Sequence, residues 1–182
     1  MAKEKTVSGR YIFKGRAVNL RIDNVITADG RETTREVVEH SECIVVVPVD
    51  ANGDILLVQQ YRQAVDKELL EIPAGGIDPG EDPETAVKRE MQEETGQLPG
   101  KVERMGGFYS APGFCTEYLY LFLALDLKPS QLFAEDTEGI KTVRIKPRRI
   151  KQMIASGQIC DAKSIAGLLY YLEYRRKKRL SY

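Results

Sequence analysis

A glycine-rich turn leading into a carboxylate-rich helix constrains this chain more than any other segment. Gly75, Glu81, Arg89, Glu90, Glu93, Glu94 and Gly96 stand in the order G-x5-E-x7-R-E-x-x-E-E-x-G. With each residue type used at roughly 5–7%, seven matches at set offsets arise by chance on the order of once in a million chains of this size, so the spacing is a constraint and not an accident. Asp82-Pro83-Glu84 offers an N-cap, a proline at the first helical position and an acid at the positive end of the helix dipole, and Gly96 suits the residue just past the C-terminus. A helix of about three turns follows. At about 100° per residue, Glu90, Glu93 and Glu94 share one wedge, with Ala86 a turn below and Val87 and Met91 as an apolar flank. Like charges one turn apart repel. A hard divalent cation removes that cost, because carboxylate oxygens suit Mg²⁺. The alternative is a solvated acidic face. The preceding run Ile72-Pro73-Ala74-Gly75-Gly76-Ile77-Asp78-Pro79-Gly80 favours the cation, since it leaves a strand and turns through glycines, so backbone carbonyls can approach a metal near the carboxylates.

These residues resemble the signature of the Nudix hydrolases, which implies Mg²⁺-dependent cleavage (with Mn²⁺ as an alternative ion) of nucleoside diphosphates linked to another group. Gln97 departs from the aliphatic residue usual after the last glycine, which bears on packing at the helix exit. Pro112, within Ser110-Ala111-Pro112-Gly113-Phe114, lies fifteen residues beyond Gln97 and resembles the ADP-ribose pyrophosphatase subgroup. So do Gln60-Tyr61-Arg62, Leu70-Glu71-Ile72-Pro73-Ala74-Gly75, Gly15-Arg16-Ala17-Val18 and Arg35-Glu36-Val37-Val38-Glu39-His40. The resemblance implies an α/β/α sandwich around a mixed sheet. It also implies an N-terminal antiparallel β-unit, residues 1–41, for dimerisation and substrate, with the hydrolase domain in 42–182.

The resemblance further implies roles for single residues. Glu90 and Glu94 are the leading metal ligands, with Glu93 as a third, also placed among the catalytic residues, and the Ala74 carbonyl as a backbone ligand. The general base is expected from the acidic loop Ala134-Glu135-Asp136-Thr137-Glu138-Gly139, Glu138 first, then Glu135 or Asp136. Arg62 can grip two phosphate oxygens at once through its guanidinium. Arg16, Arg35 and Glu36 are candidates for the adenosine end, and Gly113 and Glu117 for the terminal ribose. Arg89, four residues before Glu93, reads as support for that helix face, and Glu81 as a residue that orients the loop.

Composition bounds the rest. The 182 residues, 42% of them hydrophobic, can bury one good core. Lys+Arg and Asp+Glu both number 27, so no global basic field exists to hold nucleic acid. The basic run Arg175-Arg176-Lys177-Lys178-Arg179 reads as solvated cations at a helix C-terminus. No apolar run nears 18 residues and the N-terminus is charged, so neither a membrane span nor a signal peptide is expected, and the cytoplasm is the expected compartment. Cys43, Cys115 and Cys160 are odd in number and not in metal spacing, and read as reduced thiols. The lone His40 reads as structural.

Along the chain, residues 10 to 40 alternate as an antiparallel unit turning at Asp29-Gly30. Cys43 to Val49 reads as a strand covered on both faces, Asn52-Gly53 as a hairpin into Ile55 to Val58, and 118–124 and 140–145 as further strands. Helices are expected at about 147–156 and 162–179. The reading is hydrolysis of ADP-ribose to AMP and ribose 5-phosphate by a homodimer. Another nucleotide sugar as substrate, or an ADP-ribose sensor without turnover, are the alternatives.

Overall fold

The structure, a computed structural model, describes residues 3–134, 137 and 139–180, the last two by backbone alone. It divides into two compact units. One gathers the chain up to Glu42 with Tyr109–Tyr118, and the other gathers Cys43–Phe108 with the chain from Leu119 on.

The first unit is an antiparallel meander of β1 (Lys5–Lys14), β2 (Asn19–Ile26) and β3 (Glu32–Glu39). Its turn lies where Asp29-Gly30 places it, closed by Thr27 N–H to the Arg31 carbonyl at 2.9 Å. β1 begins five residues earlier than the alternation suggests and is exposed along its whole length. Segment 109–118 joins this unit through Val38, whose N–H meets the Phe114 carbonyl at 2.7 Å and whose carbonyl accepts from Thr116 at 3.0 Å.

In the second unit β4 (Cys43–Pro48) is the central strand, buried at every residue, as its unbroken apolar run predicts. It pairs parallel with β9 (Tyr118–Pro129) and antiparallel with β7 (Ala74–Gly76), in a mixed sheet of order β7-β4-β9-β8 with β8 at Gln97–Tyr109. Its side chains alternate. Ile44 and Val46 join Phe122, Ala124 and the face of α1 (Pro83–Thr95) given by Ala86, Val87 and Met91. Cys43, Val45 and Val47 face the larger core, built with α2 (Ile150–Ala155), α3 (Ala162–Leu180) and the second sheet, β10 (Lys141–Ile145), β5 (Ile55–Arg62) and β6 (Lys67–Glu71). Helices therefore lie on both faces of the mixed sheet, as expected. Each fully buried Val, Ile or Leu contributes about 1.5–3 kcal/mol, so α1 is anchored by Val87 and Met91 well beyond what its short length supplies.

The sequence reading takes β7 as part of a glycine turn and leaves out β8 altogether. Pro99, Gly100, Gly106 and Gly107 interrupt any alternation, and its pairing with β9, not local propensity, makes it a strand. None of the described helices is long and apolar enough to cross a membrane.

Candidate active site

The acidic helix starts and stops where its sequence says. Asp82 accepts from the N–H groups of Glu84 and Thr85, both at 3.1 Å, and Gly96 ends the helix with φ 66°, a left-handed turn that a side chain would resist. Between these caps the buried Val87 and Met91 fix the helix rotation, and with it the acids on the adjoining face.

Gly75, read from sequence as part of a turn, lies in strand β7 opposite Ile44, and the strand meets the helix there. A Cβ there would lie 2.0 Å from the Glu90 carboxylate, so only glycine leaves room for that carboxylate against the backbone. Ala74 N–H donates to Glu94 Oε2 at 3.1 Å. Arg89 holds the other side. Its Nη1 donates to Glu90 at 2.6 Å and to Glu93 at 3.2 Å, Nε and Nη2 grip Glu81 at 3.0 and 2.9 Å, and Nη2 also reaches the Gly76 carbonyl at 2.8 Å. Glu81 in turn accepts from the N–H of Asp78 at 3.0 Å. Arg89 and Glu81 thus lock the glycine turn onto the helix, a wider tie than the i,i+4 contact alone.

The electrostatics of the cluster are those of a surplus of negative charge. Burial pushes the Glu94 carboxyl up to about 8, helped by Glu90 and opposed by the Ala74 N–H, Arg62 and Lys163. Burial also raises Glu90, against the pull of Arg89. Glu81 is held low by its hydrogen bonds from Arg89. Glu90 and Glu93 share Arg89 Nη1 while Glu94 turns to the Ala74 amide, so the three carboxylates do not all gather on one point as they stand. An all-oxygen donor set carrying more negative charge than its single arginine offsets fits a hard divalent cation. A cavity of about 570 Å³ opens beside it, lined by Glu93, Glu94, Gln131, Phe133, Ala134 and Thr137 among others.

The remaining candidates fall in different places. Arg62, 40% exposed, gives Nε and Nη2 to the buried Glu71 at 3.0 and 2.6 Å. Arg16, Arg35, Glu36, Gly113 and Glu117 all belong to the first unit. Arg16 lines a hollow of about 350 Å³ with Gly15, Val18, Glu39, His40 and Ser41. Arg35 is paired with Glu4 at 2.6 Å, Glu36 is exposed on β3, Gly113 has open space where a side chain would stand, and Glu117 lies 3.8 Å from His40. Glu135, Asp136 and Glu138 lie outside the described residues. Glu71 and Lys163 escaped the sequence reading as site residues. A glutamate ending a strand in Leu69-Leu70-Glu71-Ile72 was the one available signal for the first, and nothing marked the second.

A mixed sheet between helices, with a glycine turn and an arginine-locked acidic helix at its edge, defines a Nudix-type hydrolase fold and site. The chain belongs to this family: the NUDIX domain matches residues 39–165. It is 31% identical to the ADP-ribose pyrophosphatase of Bacillus subtilis (strain 168) over 92% of both chains. It is 32% identical, again over 92% of both, to the methanol dehydrogenase activator of Bacillus methanolicus. A crystal structure of an ADP compounds hydrolase superposes with a TM-score of 0.89 over 97% of this chain and 96% of that one, at 20% identity, which is a likeness of fold.

Proposed function

We propose that this protein hydrolyses ADP-ribose to AMP and ribose 5-phosphate with Mg²⁺. The observation that carries the reading is the intact set of Glu90, Glu93 and Glu94 on α1, with Glu90 against Gly75 of β7, in a chain alike over nearly its whole length to an ADP-ribose pyrophosphatase. Glu90, Glu94 and Glu93, with the Ala74 carbonyl, would hold the ion, which when bound neutralises phosphate charge and acidifies a coordinated water.

This chain's own groups do the rest. Arg89 and Glu81 keep the carboxylates aimed. Arg62, whose Nε and Nη2 are held by Glu71, offers Nη1 to the diphosphate. A carboxylate of the 134–139 loop, Glu138 first and Glu135 or Asp136 next, takes the proton of the attacking water. The water oxygen bonds to one phosphorus, the bridging P–O bond breaks, and the two phosphomonoesters leave. Residues 1–41, with Arg16, Arg35 and Glu36, would contribute to the nucleoside end across a homodimer, while Gly113 and Glu117 would face the terminal ribose.

A panel of nucleotide sugars incubated with the protein and Mg²⁺, with the phosphorylated products identified, tests the reading. AMP and ribose 5-phosphate from ADP-ribose, at a kcat/KM above that for the other sugars, is the expected result. Turnover of none would leave the sensor reading. The name of the Bacillus methanolicus relative favours one second reading, action on an alcohol dehydrogenase, which adding the protein to a methanol dehydrogenase assay would reveal.

A further inference from the structure

The least solvent-exposed charged side chain among the described residues is not in the acidic cluster. Glu71, at the end of β6, has a side chain only 1% exposed. An unpaired carboxylate at that depth costs several kcal/mol, so its partners decide why it is kept. It accepts Arg62 Nε on Oε1 at 3.0 Å, Arg62 Nη2 on Oε2 at 2.6 Å, and Lys163 Nζ on the same Oε2. The three groups come from the end of β5, the end of β6 and the first turn of α3.

Lys163 is itself fixed. Its Nζ also donates to Asp161 Oδ1 at 2.9 Å, and that oxygen accepts the Ser164 N–H at 3.0 Å, capping α3. The Ser164 hydroxyl accepts the N–H of Ile72, the residue after Glu71, at 2.9 Å. The framework uses two of the three lysine N–H groups. It also leaves Arg62 Nη1 without a partner among the described residues, on a side chain 40% exposed. The donors left over are open to a further acceptor. Those donors lie beside the acids, since the same stretch of chain runs on from Glu71 through Ile72 to Ala74, whose N–H donates to Glu94 Oε2 at 3.1 Å.

We infer that Glu71 is a positioning residue that holds Arg62 and Lys163 together as a two-cation grip on the substrate's diphosphate. Lys163 is thereby a second phosphate-binding cation beside Arg62. The inference rests on the reading that the substrate carries a diphosphate, and it names the groups that receive it. Two cations fixed on one buried anion lose little freedom when a phosphate arrives, which is where such a grip gains affinity over two free surface side chains.

The test is binding of ADP-ribose by calorimetry in EDTA, where turnover is absent, together with KM and kcat in Mg²⁺ and thermal unfolding, for wild type, Lys163→Met, Lys163→Arg and Glu71→Gln. Lys163→Met and Glu71→Gln are expected to raise Kd and KM about tenfold or more with a smaller change in kcat, and Lys163→Arg to restore Kd to within about threefold. A fall in unfolding temperature with Kd and KM within about twofold of wild type would make the cluster a structural tie and overturn the grip. If Glu71→Gln does not fold, Lys163→Met decides alone. If wild type neither binds nor cleaves ADP-ribose, the functional reading fails separately. The same variants are then titrated with ADP, where an unchanged Kd overturns the grip.

Discussion

Gly75→Ala is the sharpest test of how the loop and the acidic helix work together. The new Cβ would fall 2.0 Å from Cδ and Oε1 of Glu90 and 2.4 Å from Oε2. Such atoms settle about 3.5 Å apart, so the carboxylate must retreat by about 1.5 Å. The helix cannot make that movement, because Ala86, Val87 and Met91 are fully buried and Asp82 caps its start. The Glu90 side chain must rotate instead, out of reach of the loop and of the Arg89 Nη1 that now lies 2.6 Å away. A displacement on the order of 1 Å at a reacting centre costs about 100-fold in rate. The overpacking itself costs about 1–3 kcal/mol, which lowers the unfolding midpoint by about 2–4 °C per kcal/mol in a chain of this size. The assay is kcat/KM on ADP-ribose across a Mg²⁺ titration, with thermal unfolding in EDTA alongside. In a Glu90→Gln background the same substitution should remove no further activity, because both changes act through one carboxylate. A Gly75→Ala enzyme with kcat/KM within about threefold of wild type would refute the argument that Glu90 works at the place the glycine leaves for it.

Glu94→Gln and Glu90→Gln should each abolish metal-dependent hydrolysis, and in EDTA at pH 8 both should unfold no more easily than wild type, because each puts a neutral amide in place of a carboxyl that burial makes costly to ionise; near-normal turnover at saturating Mg²⁺ would show the ligands are misassigned. Glu103, held at about 2 by Lys101, Tyr174 and Lys178, stabilises the fold above its ordinary 4.5 and loses that contribution as the pH falls towards 2. Since the Lys101 and Lys178 side chains are both more than half exposed, screening reduces the effect to about 1 kcal/mol, so Glu103→Gln should lower stability by that much at pH 7 and by less at pH 3 in denaturant titrations. Sedimentation should show a homodimer, and removal of residues 1–40 should give a monomeric or aggregated, inactive protein; a fully active wild-type monomer would exclude a site shared between chains.

What the sequence made legible was local. The caps at Asp82 and Gly96, the apolar flank of Val87 and Met91 and the doubly covered β4 all follow from neighbours a few residues apart, and each is where its pattern puts it. Arg89 marks the limit of such reasoning. Its contact with Glu93 is a matter of helix spacing, but its grip on Glu81 and on the Gly76 carbonyl exists only after the loop has folded back on the helix. The same holds for β8, whose glycines hide a strand that β9 imposes.

Glu71 and Lys163 depend most on contacts made only in the folded chain. They lie 92 residues apart, on a strand and a helix that meet only through the packing of α3. In one dimension Glu71 looks like the polar residue at the end of a half-exposed strand and Lys163 like one of many cations. Their burial, at 1% and 18% exposure, changes the meaning of both, because a charge withdrawn from water must be matched by its surroundings while a surface charge need not be. The acidic motif could be recognised because a metal site needs its ligands at helical spacing. A phosphate grip carries no such spacing, since an arginine on β5 and a lysine on α3 become one unit only through the carboxylate buried between them.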